Sequence, residues 1–103
     1  MKAQEVIKIK DIAKNCESVA KLMKAMAHPQ RLMILCHLSN AEKTVGELES
    51  LCSASQSQVS QFLHRMRLEG LVESEKRGQH VYYRILDLKV KKLISALYRI
   101  YCS

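Results

Sequence analysis

The spacing of apolar and polar residues changes along the chain, and each change predicts a different element. Apolar residues recur every three or four positions over residues 7–27, 29–38 and 88–102, which predicts three helices. Over residues 81–85 apolar and polar side chains alternate instead, and residues 72–76 are also suited to a strand. A short turn separates these two segments, so together they predict a β-hairpin.

The segment before the hairpin predicts two short helices joined by a tight turn. Residues 45–52 have apolar helical periodicity, residues 53–55 are small, and a second helix is predicted over residues 55–68, before Gly70. This is the plan of a helix-turn-helix, whose second helix lies in the major groove of DNA. The polar residues of that helix that can bind base edges or phosphates are Ser55, Gln56, Ser57, Ser60, Gln61, His64 and Arg67.

The turn of the hairpin carries fixed positive charges. Gly78 can adopt a positive φ there, and the candidate DNA-binding residues around it are Lys76, Arg77, Gln79 and His80. A charged turn is in most proteins only solvated. Because this one follows a recognition helix, we interpret residues 72–85 as a wing that contacts phosphates or the minor groove. The expected fold is mainly α with a small β-hairpin, a winged helix-turn-helix.

The composition indicates one small domain over residues 1–103. Hydrophobic residues make up 48% of the chain, enough for a single core. We find no apolar run long enough to cross a membrane and no signal peptide, so we expect a cytoplasmic protein with no membrane partner. The net charge of +7 attracts polyanions, although charge alone fits a merely soluble basic surface equally well.

The predicted helices at the two ends carry apolar stripes. The stripes comprise Ile12, Cys16, Val19, Met23 and Met26 at one end and Leu86, Val90, Leu93, Leu97 and Tyr101 at the other. We interpret the helices over residues 7–27 and 88–102 as the interface of a homodimer, because a small helix-turn-helix protein normally reads two half-sites. The alternative, that both stripes pack only within the monomer, stays open.

Several motifs together resemble the ArsR/SmtB family of bacterial repressors. They are HPQRLMIL at 28–35, VGEL at 45–48, SQVSQ at 57–61, RLEGLV at 67–72 and YYRI at 82–85. The resemblance extends over nearly the whole chain, from about residue 13 to residue 102. It implies a winged-helix homodimer that binds double-stranded operator DNA as a repressor and leaves it when an inducer binds.

The metal sites that the resemblance implies lack their ligands in this chain. Arsenic and cadmium sensors of the family place two cysteines where this chain has Thr44 and Gly46, neither of which is a soft ligand. The family's zinc positions fall on Asp87, Lys89, Ile100 and Ser103. A single aspartate does not make a zinc site, so we expect no metal and no cofactor.

Two cysteines resemble those of the BigR/SqrR persulfide-sensor subgroup and the similar pair of HlyU. Cys36 and Cys102 occupy the subgroup's paired positions, which implies reactive sulfur species (persulfide or polysulfide) as the inducer. One thiol attacks a sulfane sulfur, and the second closes a disulfide or polysulfide bridge. Independently, a cysteine pair in a reducing cytosol is more often regulatory than structural. We assign Cys52 to apolar packing, and the role of Cys16 stays open.

Three classes of function remain after this reading. The leading one is a repressor that reactive sulfur releases from DNA through the cysteine pair. The second is a repressor of the same fold that responds to general oxidants, to a metal at a non-standard site, or to nothing. The third is a winged-helix module that binds proteins and has no operator. We expect no enzyme and no catalytic residues, since no Ser/His/Asp set, phosphate loop or paired acid and base is discernible.

Overall fold

The structure is a computed structural model that describes residues 5–102, and residues 1–4 and 103 lie outside the described part. The family's last zinc position, Ser103, is therefore not described. The elements follow in this order: α1 (Ile9–Ala13), α2 (Cys16–Ala25), α3 (Pro29–Asn40), β1 (Lys43–Thr44), α4 (Val45–Cys52), α5 (Gln56–Leu68), β2 (Val72–Arg77), β3 (His80–Ile85) and α6 (Leu88–Cys102).

The strands form one antiparallel sheet in the order β1-β3-β2. The hairpin pairs Val72 with Ile85 at its base and Arg77 with His80 at its tip. The mainly helical chain with this small sheet confirms the predicted winged helix-turn-helix fold. The sequence did not reveal β1, because a strand of two residues is too short to show alternation.

The prediction of one continuous helix over residues 7–27 is wrong. The first helix ends at Ala13, and the next begins at Cys16. Asn15 lies between them with φ −111° and ψ 5°, and its side-chain amide donates to the backbone oxygen of Asp11 at 3.3 Å. Asparagine side chains compete for backbone hydrogen bonds in this way, which accounts for the break in the helix. The apolar periodicity continues across the break and therefore does not reveal it.

Both helices of the helix-turn-helix begin with a capping box. Thr44 accepts the backbone N–H of Glu47 at 3.2 Å, and the Glu47 carboxylate accepts that of Thr44 at 2.9 Å. The same exchange joins Ser55 and Gln58, at 3.2 and 3.3 Å. Ser53 ends α4 in the left-handed region, at φ 50°. These local interactions fix where the recognition helix starts, at Gln56 with Ser55 as its N-cap.

The core forms where the inner faces of α3, α4, α5, α6 and the sheet meet. Its fully buried side chains are Ile34, Leu35, Leu38, Leu48, Val59, Leu63, Met66, Val72 and Val90. At the edge of this core, Arg31 of α3 donates to the carboxylate of Glu69, the residue that caps α5, at 2.6 Å. This ion pair links the first turn of α3 to the end of the recognition helix.

The predicted apolar stripe of the last helix belongs in part to the monomer. Val90 is buried, and Leu93 and Leu97 pack against the core, whereas Tyr101 is exposed. Other apolar side chains remain exposed on the terminal helices, namely Ile9, Ile12, Met23, Tyr98 and Ile100. The radius of gyration is 15.5 Å, above the roughly 13 Å of a compact chain of this length, so the single chain is more extended than a compact domain.

We predict that the buried face of α5 contributes most of that helix's stability. Leu63→Ala removes a fully buried side chain and should lower the free energy of unfolding by about 2–5 kcal/mol. Leu68→Ala changes an exposed leucine of the same helix and should cost less than about 0.5 kcal/mol. Urea denaturation at fixed protein concentration measures both. Equal losses in the two variants would contradict this division of the helix.

Candidate DNA-binding surface and cysteine groove

The recognition helix α5 has one apolar face and one polar face. Val59, Leu63 and Met66 are buried, while Phe62 is only partly buried and packs beside the ring of His28, at 4.9 Å between centroids. The candidate DNA-binding residues lie on the accessible face: Gln56, Ser57, Gln61, His64 and Arg67 are exposed, and Ser60 is half-buried. The face that can enter the major groove is thus separate from the face that holds the helix in place.

Ser55 has a structural role in addition to the one predicted. Its hydroxyl accepts the backbone N–H of Gln58 and lies 3.4 Å from the hydroxyl of Ser57. The N-cap therefore already uses one acceptor site of this oxygen. A contact from Ser55 to DNA stays a prediction.

The wing differs from its predicted arrangement at the tip. The predicted turn over residues 76–80 is shorter in the structure: Lys76 and Arg77 are the last residues of β2 and His80 begins β3, which leaves only Gly78 and Gln79 in the turn. Gly78 has φ 62°, a conformation that favours glycine. Successive strand residues point to opposite faces, so the two cations lie on different sides of the wing.

Arg77 does not extend freely into solvent. Its guanidinium donates to the carboxylate of Glu42, the residue before β1, and lies over the ring of Tyr82 at 4.1 Å from the centroid. A carboxylate oxygen of Glu75 is 3.9 Å from its Nε. The hydrogen bond to Glu42 is the largest cause that raises the pKa of Arg77 above its ordinary value.

A second arginine on the same face of the wing is also paired. Arg84 donates to Glu75 at 2.8 Å and to Glu73 at 2.9 Å, and its Nη1 lies 3.8 Å from Glu42. The hydrogen bonds to Glu75 and Glu73 raise the pKa of Arg84 above its ordinary value, and the hydrogen bond from Arg84 is the largest cause that lowers the pKa of Glu75. Sequence reasoning missed this cluster of charged residues, because it depends on cross-strand register and on the undetected strand β1.

Cys36 and Cys102 line the same groove between α3 and α6. The groove has a volume of about 620 Å³, and its other lining residues are Leu32, Ser39, Asn40, Ile94, Ser95, Leu97, Tyr98 and Tyr101. Cys36 is half-buried on α3, whereas Cys102 is exposed at the end of α6, and neither takes part in a disulfide. Thiols that are 66 positions apart in the sequence therefore share one solvent-accessible space.

The environment of Cys36 disfavours its thiolate. Burial raises the pKa of Cys36, and the negative charge of a Cys102 thiolate raises it further. Burial also raises the pKa of Cys52, with a smaller effect from Cys36. Cys52 packs against the core, as expected of a small apolar residue, and Cys16 is exposed on α2.

The family's metal positions have other roles in this structure. Thr44 caps α4, and Asp87 accepts the backbone N–H of Lys89 at 2.9 Å. Within residues 5–102, no three histidine, cysteine, aspartate or glutamate side chains are grouped as a metal site would require. None of the helices in this part of the chain is both long and apolar enough to span a membrane.

The capped helix-turn-helix, its exposed polar face and the adjoining hairpin define a regulator with a winged-helix DNA-binding domain. Residues 28–74 match the arsR family of bacterial regulatory proteins. The chain is 42% identical over 95 residues to the transcriptional activator HlyU of Vibrio cholerae, covering 92% of this chain and 88% of HlyU. The chain therefore belongs to the arsR family.

Solved structures agree with this assignment. The crystal structure of the transcriptional repressor BigR from Xylella fastidiosa has a TM-score of 0.89 and 37% identity, covering 94% of this chain and 99% of that one. A possible ArsR-family regulator from Mycobacterium bovis, described as a homodimeric winged helix-turn-helix DNA-binding domain, has a TM-score of 0.74 and 28% identity. The match covers 97% of this chain and 89% of the Mycobacterium bovis chain. The likeness to BigR and HlyU confirms the prediction that the chain is similar to a BigR/HlyU-like subgroup of the family.

We predict that the two thiols of the groove influence each other's ionisation. Cys102→Ser removes a negative charge and should lower the pKa of Cys36, although burial should still keep it above the ordinary cysteine value. The pH dependence of alkylation at Cys36, followed by peptide mass spectrometry, measures this change. Cys16→Ser is the control and should leave the Cys36 profile where it was. An unchanged profile in Cys102→Ser would show that the two thiols do not interact.

Proposed function

We propose that this regulator is a homodimeric repressor whose binding to operator DNA is controlled by reactive sulfur. In the reduced state the dimer binds its operator. Persulfide or polysulfide then converts Cys36 and Cys102 into an intrachain disulfide or polysulfide bridge, and the dimer leaves the DNA. The observation that carries this proposal is the single groove that both thiols line.

The exposed face of α5 supports the DNA-binding half of the proposal. Gln61 and His64 project from a helix whose opposite side is buried, and side-chain amides and imidazoles can read base edges in the major groove. The excess of seven positive charges favours binding to the phosphate backbone in addition. Among the wing residues, Lys76, Gln79 and His80 are exposed near the tip, where a wing meets DNA.

The exposed apolar residues of the terminal helices support a dimer. Ile9, Ile12 and Met23 near one end, and Ile100 and Tyr101 near the other, are each at least 45% exposed in the single chain. Leaving this much apolar surface in water is unfavourable, and a second copy of the chain would cover it. The homodimeric relative from Mycobacterium bovis has the same fold. A two-fold dimer would present two recognition helices to two half-sites.

The accessibility of the two cysteines suggests the order of the chemical steps. Cys102 is exposed, while Cys36 is half-buried with a raised pKa. We therefore assign the first attack to Cys102. Its thiolate bonds to the sulfane sulfur of a persulfide R–S–SH, the donor's S–S bond breaks, and RS⁻ leaves with the electron pair and takes up a proton. Cys102 then carries the persulfide.

Cys36 completes the reaction. Its thiolate attacks Sγ of Cys102 and expels hydrosulfide, which leaves a disulfide between the two residues. The two protein thiols are oxidised by two electrons, and the donor's sulfane sulfur is reduced to hydrosulfide. Reaction with further donor before closure would give a longer bridge. A simple disulfide needs Cα atoms within about 7 Å of each other, a limit that a longer bridge relaxes.

A bridge across the groove would act on the DNA-binding unit through α3. That helix carries Cys36 on one side, and it packs against α4 and is linked to the end of α5 by the Arg31–Glu69 ion pair. Cys102 lies at the end of α6, in the proposed dimer interface. A covalent link between α3 and α6 would therefore change how the recognition helices are held relative to the two-fold axis.

We predict distinct effects for a base contact and a phosphate contact. Gln61→Ala should reduce discrimination between operator and unrelated DNA by about 1–3 kcal/mol, because it removes a base-edge hydrogen bond. Arg77→Ala should weaken binding to all sequences and flatten the dependence of log K on log salt by about one. Lys92→Ala, an exposed change on α6, is the control and should have little effect. Fluorescence anisotropy over a salt series measures all three. Parent-like binding by both test variants would refute this docking.

We predict that each cysteine of the groove is required for release. Cys36→Ser and Cys102→Ser should each bind operator normally when reduced and stay bound after polysulfide is added, because neither can close the bridge. Cys52→Ser should still be released. Peptide mass spectrometry of the treated parent should show Cys36 and Cys102 joined within one chain. Release of either single variant by polysulfide would exclude the two-cysteine mechanism, and release by peroxide alone would indicate a general oxidant sensor.

A further inference from the structure

We propose that Glu42 competes with DNA phosphate for the guanidinium of Arg77 and so limits the affinity of the wing for DNA. This inference rests on the proposed DNA-binding function. It assigns a role to a residue outside the recognition helix and outside the predicted wing. Glu42 directly precedes β1, the strand that sequence patterns did not reveal.

The contacts of Arg77 show that its cationic group is already occupied. Glu42 accepts a hydrogen bond from one terminal nitrogen, Glu75 faces Nε at 3.9 Å, and the guanidinium carbon lies over Tyr82 at 4.1 Å. A carboxylate and a phosphate present similar pairs of acceptor oxygens to the planar fork of an arginine. They are therefore alternative partners for the same donors, and a phosphate that uses these donors must displace Glu42.

The strand register explains why acidic residues surround this arginine. Glu73, Glu75 and Arg77 alternate along β2 and share one face of the wing, opposite Arg84, Tyr82 and His80 of β3. Arg84 binds Glu73 and Glu75 and lies close to Glu42. The two arginines and three glutamates of this cluster carry a net charge of −1. This face of the wing is thus not basic, although the chain as a whole is.

The exposure of the pair makes an exchange of partners feasible. The side chains of Arg77 and Glu42 are 46% and 35% exposed, so water reaches both and no buried charge is created when they separate. Exposed ion pairs of this kind are weak and are screened by salt. Glu42 therefore reduces the availability of Arg77 without abolishing it, and its effect on DNA affinity is a factor of a few.

A double-mutant cycle on DNA binding tests the competition. Glu42→Gln keeps the shape of the side chain and removes its charge, and it should tighten binding about two- to fivefold, the range of an exposed ion pair. Glu73→Gln is the matched control, because it removes the same charge from the same face but contacts Arg84 rather than Arg77. It should tighten binding clearly less. In an Arg77→Ala background, Glu42→Gln should lose its advantage over Glu73→Gln.

A measurement without DNA tests the ion pair itself. In the free protein, the Nη–H groups of Arg77, one of which donates to Glu42, should exchange with water faster in Glu42→Gln than in the parent, as followed by ¹⁵N NMR. The inference is overturned if Glu42→Gln weakens binding, if it equals Glu73→Gln, or if its effect persists without Arg77. Failure of the reduced parent to bind any duplex specifically would instead overturn the proposed function, and this inference with it.

Discussion

The burial of α3 is the constraint on which the other parts of this structure depend. Ile34, Leu35 and Leu38 are almost completely removed from water, against α4, β3 and α6. The helix-turn-helix, the wing and the terminal helix therefore all pack on one element. Close-packed protein interiors transmit strain. Under the proposed mechanism, a displacement of α3 would therefore reach each of the three.

Sequence patterns predicted the parts of the fold that local chemistry determines. The recognition helix was placed to within one residue, because Ser55 and Gln58 form a capping box that is readable in the sequence. The break near Asn15 was missed, since apolar spacing continues across it, and so was β1, which exists only through its pairing with β3. Local sequence signals thus predict the helices and the hairpin, whereas features that depend on tertiary pairing cannot be predicted from them.

The candidate site divides in the same way. The exposed face of α5 follows from helical periodicity, and the resemblance to persulfide sensors implies the functional pairing of Cys36 with Cys102. Their common groove, however, depends on how α6 packs against α3, which no local pattern encodes. The partners of Arg77 could not be predicted either, because Glu42 lies 35 positions away along the chain. The net charge of the chain does not indicate these partners either, because a positive total is compatible with an acidic cluster on one face of the wing.

The energies involved favour a covalent link as the basis of the proposed switch. A hundredfold loss of operator affinity corresponds to about 2.7 kcal/mol. This free energy exceeds what a single exposed ion pair or a single hydrogen bond normally contributes. A bridge between Cys36 and Cys102 is different, because a covalent bond imposes a separation on α3 and α6 that thermal motion cannot relax. In the groove that both residues line, Cys102 is exposed and Cys36 is half-buried. In the proposed mechanism, an accessible first nucleophile with a shielded second one favours closure of the bridge over separate modification of the two thiols.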